Sequence, residues 1–233
     1  MIKNKKVLAL IPARKNSGEL KNKNIKKFKG KPLIFWTLQA AKKSKYIDKV
    51  VVSSNSKKIL KIAKKYKGFF LSKRPERLST KKSELIDTIL YELKKFKNYE
   101  IIILLQPTSP LRTSKDIDKS LFMMTKKMKK SCVSFISSNH HPNNFYLIKN
   151  QSKIFKFSKI SNSSTNRQND EKFYYPSGDI YISYIDRIKK NKNFIDDNTL
   201  PFLIENRNSS DIDNIFDFKT TEYMASIVNK NFS

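Results

Sequence analysis

Short apolar runs alternate with amphipathic stretches along most of this chain. Lys6 to Ala13 is the first run, ending in Pro12-Ala13-Arg14. Val50-Val51-Val52, Phe69-Phe70-Leu71, Ile101 to Leu105 and Cys132 to Ile136 repeat the type. The longest of them are rich in β-branched residues and predict strands buried on both faces. Between them apolar residues recur at helical spacing. Pro32 opens one helix through about Lys43, with Leu33, Ile34, Trp36, Thr37, Ala40 and Ala41 as its buried stripe. Ser54-Asn55-Ser56 caps a second over Lys57 to Tyr66, which Gly68 ends. Ser83 to Phe96 forms a third, Thr113 or Ser114 caps a fourth through about Met128, and Asn214 to Val228 is the last. This alternation predicts an α/β fold with a layered, mostly parallel sheet.

Residues 139–175 break the rhythm. They are rich in Asn, Ser and Lys, with alternating pieces such as Phe145-Tyr146-Leu147-Ile148 and Ile154-Phe155-Lys156-Phe157. That alternation predicts hairpin strands outside the main sheet. An excursion of this length in a compact domain is usually functional or an assembly element. We read it as a lobe, inserted in a single domain over 1–233, that closes the site and pairs with a second subunit.

Composition narrows the class. No run approaches the roughly 18 apolar residues of a membrane span. The first apolar run is too short for a signal peptide once Pro12 and Arg14 interrupt it. Cys132 is the only cysteine, which fits a reducing cytoplasm. The net charge of +29 raises a nucleic-acid reading. Against it, only seven of the 49 basic residues are arginine, the residue on which specific base and phosphate readers lean. The lysines are spread along the chain, as a solvated surface would have them. Arg14, Arg74, Arg112 and Arg167 stand out in loops beside polar or proline-containing sequence, and together they point to an anion site.

The richest junction is Ile101-Ile102-Ile103-Leu104-Leu105 running into Gln106-Pro107-Thr108-Ser109-Pro110-Leu111-Arg112. Two prolines hold an amide, hydroxyls and a guanidinium at the end of a central strand, where open α/β sheets bind ligands. After the first strand, Arg14, Ser17, Gly18, Lys23 and Asn24 offer cations, a hydroxyl and backbone N–H groups to a polyphosphate. In Ser210-Asp211-Ile212-Asp213 two carboxylates flank one apolar residue, so in an extended segment they share a face. Such a pair suits magnesium, and it equally suits the N-terminus of the last helix. Arg167-Gln168 and Tyr175-Pro176-Ser177-Gly178-Asp179-Ile180-Tyr181 complete the polar loops, the Ser-Gly turn allowing close backbone approach. His140-His141-Pro142 reads as a loop anchor, lacking the further His or Cys a zinc site needs.

Taken in order, these motifs resemble the bacterial CMP-N-acetylneuraminate (sialic acid) synthetases. The resemblance runs from Ile11-Pro12-Ala13-Arg14 with Ser17 and Lys23-Asn24, through Arg74-Pro75-Glu76 and Leu105 to Arg112. It continues through His140-His141-Pro142, Arg167-Gln168 and Gly178 with Ile180-Tyr181, to Asp211-Ile212-Asp213. It implies a Rossmann-like nucleotidyltransferase three-layer sandwich with an inserted dimerisation lobe, and hence a homodimer. It implies CTP bound by Arg14, Ser17, Lys23, Asn24 and Arg74, with Arg14 and Lys23 at the phosphates. Gln106, Arg167 and Tyr181 would face a nine-carbon acidic sugar, and Asp211 and Asp213 would hold Mg2+. Legionaminic, pseudaminic and 3-deoxy-manno-octulosonic acids are alternative sugars. Where the family usually has Lys-Gly after the first loop's serine, Gly18 and Glu19 stand here.

Overall fold

A computed structural model of the chain describes residues 1–15, 19–149, 153–156 and 172–228. Its main sheet has seven strands: β1 (Val7–Pro12), β4 (Lys49–Ser54), β5 (Phe70–Lys73), β6 (Ile101–Leu104), β7 (Ser131–Ser137), β10 (Tyr174–Tyr184) and β11 (Leu200–Leu203). Two small antiparallel pairs stand apart, β2 (Lys27–Phe28) with β3 (Lys31–Pro32) and β8 (Tyr146–Lys149) with β9 (Lys153–Lys156). The helices are α1 (Leu33–Lys43), α2 (Lys57–Lys65), α3 (Leu85–Leu93), α4 (Ser114–Lys126), α5 (Ile185–Asn191) and α6 (Ile215–Val228).

The continuous apolar runs form strands because both of their faces have a core to enter. Val7, Ala9 and Ile11 of β1 join one buried cluster, while Leu8 and Leu10 join another on the opposite face. β6 divides in the same way, with Ile101 and Ile103 on one side and Ile102 and Leu104 on the other. Helices α1, α2 and α4 cover the first face through Ile34, Leu38, Ile59, Ile117 and Leu121. Helices α3 and α5 cover the second through Ile89, Leu93, Ile185 and Ile188. The architecture is therefore the α/β sandwich that the alternation predicts, with a mixed, mostly parallel sheet.

The strand order is β11-β7-β10-β6-β1-β4-β5. From β1 the chain moves outward to β4 and β5, then returns to β6 on the other side of β1. The carboxyl ends of β1 and β6 thus flank a topological switch point, the place where an open α/β sheet leaves a crevice for ligands. Of the seven strands only β10 runs antiparallel to its neighbours, β6 and β7. Its pairing with β7 shifts register between Pro176 and Tyr181, around Gly178 at φ +82°. A bulge there lets a proline sit in an interior strand and turns the backbone toward the crevice.

The predicted hairpin in the excursion is present as β8 and β9. His141 anchors its approach: its Nδ1 accepts from the Asn143 backbone N–H at 3.1 Å, and its ring packs edge-on to Phe173. Sequence patterning misses β11, α5 and the β2–β3 pair. β11 carries Pro201, which an edge strand tolerates but pattern reading takes as a break.

Candidate active site

A cleft of about 370 Å³ opens at the carboxyl ends of β1, β5 and β6. The loop after β1 supplies Arg14, Lys23 and Asn24, and the segment after β5 supplies Arg74. Gln106, Pro107 and Thr108 come from the turn after β6, and Asp211 and Asp213 from the approach to α6. Four distant polar segments of the sequence therefore converge on one opening.

Lys23 and Asn24 lie on a single turn of 3-10 helix, Lys23–Ile25, entered through Asn22 in the left-handed region, and both are buried. The Asn24 amide donates to the Arg14 carbonyl at 3.0 Å, so it fixes the backbone of the phosphate-loop candidate. The Lys23 ammonium donates to the Ile212 carbonyl and, at 2.9 Å, to Asp213 Oδ1. Lys23 is 3 % exposed and the Asp213 side chain 73 %, which makes this a buried cation bonded to a carboxylate at the cleft surface.

Arg14 is half-buried and donates from Nη1 to the Thr80 carbonyl at 3.1 Å. Arg74 is buried, with Nε on the Ser79 hydroxyl at 2.9 Å and Nη1 on that of Thr88 at 3.1 Å. Burial, then the charge of Arg14, lowers the Arg74 guanidinium to about 10. Among the described residues neither guanidinium has a carboxylate as a hydrogen-bond partner: Glu76 accepts from Asn55, and Glu92 from Ser53, Ser72 and Lys95. Two cations held close with neutral partners form a site that an anion would relieve.

Asp211 and Asp213 flank fully buried Ile212, as the extended reading expects, and both line the cleft. Asp211 is exposed as a residue, but its carboxyl tip lies over Gly178, where a Cβ would stand 3.2 Å from Oδ2. Its carboxyl is held above the usual range first by desolvation and further by Asp213, against the Thr108 hydroxyl and Lys23. The close approach that Ser177-Gly178 permits is thus filled by the protein's own carboxylate.

A second cavity of about 220 Å³ adjoins the first, and Leu85 and Gln106 line both. Tyr181 and Phe194 form its aromatic wall, with ring centroids 5.5 Å apart. Burial, then Asp211 and Asp179, raises the Tyr181 phenol. Two predicted sugar-facing residues, Gln106 and Tyr181, therefore share one cavity next to the predicted nucleotide cleft. Ser17 and Arg167 lie outside the described residues.

Arg112 does not join the anion group. It is buried beneath the turn, donating to the Asp179 carbonyl at 2.6 Å, to Thr37 Oγ1 at 2.8 Å and to the Gln106 carbonyl at 3.2 Å. Its fork serves the protein's own oxygens. Residues that sequence reading missed include Ser79 and Thr88, which hold Arg74 and carry no sequence signal. Asp179 lies in a segment that sequence reading singled out, but without a role of its own.

Comparison with known proteins agrees with this geometry. The family profile described as cytidylyltransferase matches residues 8–211. The chain belongs to the cytidylyltransferase family. The N-acylneuraminate cytidylyltransferase of Escherichia coli is 33% identical over 214 residues, which is 92% of this chain and 51% of that protein. This cytidylyltransferase chain thus spans about half the length of that relative. The CMP-N,N'-diacetyllegionaminic acid synthase of Legionella pneumophila is 33% identical over 95% of this chain and 97% of its own length. Among solved structures, a CMP:2-keto-3-deoxy-manno-octonic acid synthetase aligns with TM-score 0.70 at 15% identity, over 95% of this chain and 99% of that one. At that identity the match speaks for the cytidylyltransferase fold alone. Among the described residues no helix is long and apolar enough to cross a membrane, and no group of three or more His, Cys, Asp or Glu is placed to hold a metal ion.

Proposed function

We propose that this cytidylyltransferase activates a nine-carbon acidic sugar of the sialic type with CTP, giving the CMP-sugar and pyrophosphate. The observation that carries the reading is the arrangement of one cleft at the sheet's switch point. Arg14, Lys23 and Arg74 stand with an acidic pair, and Gln106 opens into a second cavity. The sugar's anomeric hydroxyl attacks the α-phosphorus in line. An oxygen–phosphorus bond forms, the bond to pyrophosphate breaks with its electron pair leaving on pyrophosphate, and the hydroxyl proton passes to solvent water.

In this reading Arg14, Ser17, Lys23, Asn24 and Arg74 bind the nucleotide, with Arg14 and Lys23 stabilising the departing charge. Gln106, Arg167 and Tyr181 orient the sugar, Arg167 through its carboxylate. Asp211 and Asp213 would hold magnesium. The fit rests on two hard-oxygen ligands that flank Ile212 and both line the cleft. With no third protein ligand among the described residues, remaining positions would fall to phosphate oxygens and water. When bound, the ion supplies Lewis-acid stabilisation of phosphate charge.

Pyrophosphate release from each nucleoside triphosphate, with and without Mg2+, tests the reading, using sialic, legionaminic, pseudaminic and 3-deoxy-manno-octulosonic acids. Activity with CTP and a nonulosonic acid is expected; no turnover with any of them would overturn it. Legionaminic acid deserves its place in the panel because the Legionella relative matches nearly end to end. Asp213→Asn should remove most turnover, about a hundredfold or more. Asn keeps an oxygen acceptor for the buried Lys23 ammonium, so the variant should stay folded, with its melting temperature lowered by loss of that ion pair. Near-normal pyrophosphate release by this variant would remove Asp213 from the metal site.

We further propose a homodimer built through the excursion. Phe145, Tyr146, Leu147, Ile148, Tyr174 and Tyr175 are all exposed there, an apolar strip in an otherwise charged surface. A reducing cytoplasm accords with Cys132, which is buried and unpaired.

A further inference from the structure

We propose that Asp179 is a positioning residue for the cleft: through Ser209 it fixes the loop that carries Asp211 and Asp213, and through Arg112 it joins that loop to the turn that carries Gln106. Asp179 sits on β10, with no exposed surface. A carboxylate in that place is costly unless it is bonded and paired.

The bonds of Asp179 run in two directions. Its Oδ2 accepts from the Ser209 hydroxyl, two residues before Asp211. Its backbone carbonyl accepts from Arg112 Nη1 at 2.6 Å, and Arg112 Nη2 continues to the Gln106 carbonyl and to Thr37. The segment Ser209 to Asp213 lies in no helix or strand, so its place depends on such ties. Other ties among the described residues are the bonds from the Ile212 N–H to the Thr108 carbonyl at 3.0 Å, from the Ser209 N–H to the Asn206 carbonyl at 3.3 Å and from the Asp213 N–H to Asp217 Oδ2 at 2.9 Å, together with those from Lys23. Gly178, the residue before Asp179, makes room for the Asp211 carboxyl. Successive residues of one bulged strand thus seat successive parts of the acidic loop.

The network is not arranged for stability alone. Among the described residues, Asp179 Oδ1, Arg112 Nε and the hydroxyls of Ser109 and Ser210 are buried without a hydrogen-bond partner. A half-satisfied polar network is worse for stability than an apolar core, and an unsatisfied buried group calls for another reason. Holding both walls of the cleft in register supplies that reason.

The part of this inference that concerns turnover rests on the proposed reaction; the part that concerns the loop does not. Hydrogen exchange of the full chain, with peptides spanning 209–214 and peptides from β1 and β6, tests the loop in Asp179→Ala, Asp179→Asn and Ser209→Ala. Asn still offers Ser209 an acceptor, and Ser209→Ala cuts the same tie from the other side if Asp179→Ala fails to fold. Loss of that bond should speed exchange at 209–214 by about tenfold in Ser209→Ala and Asp179→Ala, with the sheet peptides unchanged and protection largely kept in Asp179→Asn. Turnover in Ser209→Ala should fall by about tenfold in kcat, with KM for CTP within about twofold. Unaltered exchange at 209–214, or equal loosening of β1 and β6, would overturn the positioning role. A loosened loop with wild-type kcat would overturn its link to turnover. An inactive wild type would count against the proposed reaction, leaving the exchange result to decide the role of Asp179.

Discussion

Lysine is this chain's ordinary cation, so each buried arginine is informative. Arg74 and Arg112 are both enclosed, and burial lowers both to about 10, but their surroundings differ. Arg112 spends its donors on carbonyls and a threonine of the protein, whereas Arg74 is held by two hydroxyls beside a second cation at the cleft. Lysine at 74 would keep the charge and lose the planar fork that Ser79 and Thr88 align. Arg74→Lys should therefore raise KM for CTP by about tenfold with a smaller change in kcat; an unchanged KM in steady-state assays would take Arg74 out of the nucleotide site. Asp179 makes a different residue-scale prediction. Burial raises its carboxyl to about 6, against the pull of Ser209 and Arg112. The folded chain therefore holds this proton more tightly than the unfolded chain, whose carboxyl titrates near 4. Stability from this group is present below about pH 4 and is lost as pH rises through about 6. Asp179→Asn lacks that loss. Urea unfolding at pH 4 and pH 7 should show the stability gap between the two proteins moving in the variant's favour by on the order of 2–3 kcal/mol. A gap independent of pH would mean that Asp179 titrates as an ordinary carboxyl.

Elements were legible where a single physical demand shaped the residues. β1 and β6 had to be apolar on both faces, and their runs say so. α4 had to be capped, and Thr113 forms a reciprocal capping box with Asp116: each backbone N–H donates to the other's side chain, at 2.9 and 3.2 Å. Thr113→Ala should cost about 1–2 kcal/mol in urea unfolding and leave KM for CTP unchanged; a stability cost below a few tenths would show the cap to be idle. Elements were illegible where the demand was tertiary. β11 is a strand because β7 offers it an edge, and nothing in Leu200-Pro201-Phe202-Leu203 announces that. The antiparallel course of β10 leaves no local trace in its own residues. In the candidate site, motifs singled out for their polar chemistry come together: Gln106, Asp211, Asp213, Arg14 and Lys23 all line the cleft. Supports such as Ser209, Thr88 and Asp179 were not readable as such, because a hydroxyl or carboxyl that serves a neighbour looks in sequence like any polar residue.

At the scale of the molecule, the charge of +29 and the apolar strip on the excursion pull in opposite directions. The charge keeps copies apart, while the strip gives them something to bury. The lysines of α2 show how the charge is carried: Lys57, Lys58, Lys61, Lys64 and Lys65 are exposed while Ile59 and Ala63 hold the helix to the core. That is a solvated face. For the strip, sedimentation in physiological salt should give twice the chain mass of 27.3 kDa. Ile148→Asp, at an exposed position, should shift the protein to monomer without lowering its melting temperature at the sheet core. A wild-type protein that sediments as a monomer would leave the strip without a second copy to cover it.

Gly178 carries a hydrogen where every other amino acid carries carbon, and the Asp211 carboxyl rests in the room this leaves. A single methyl there would meet that carboxyl at 3.2 Å, on a backbone turned to φ +82°, and the carboxyl would have to shift by a few tenths of an ångström. The height at which one acid stands above the sheet is thus set by the smallest side chain in the protein.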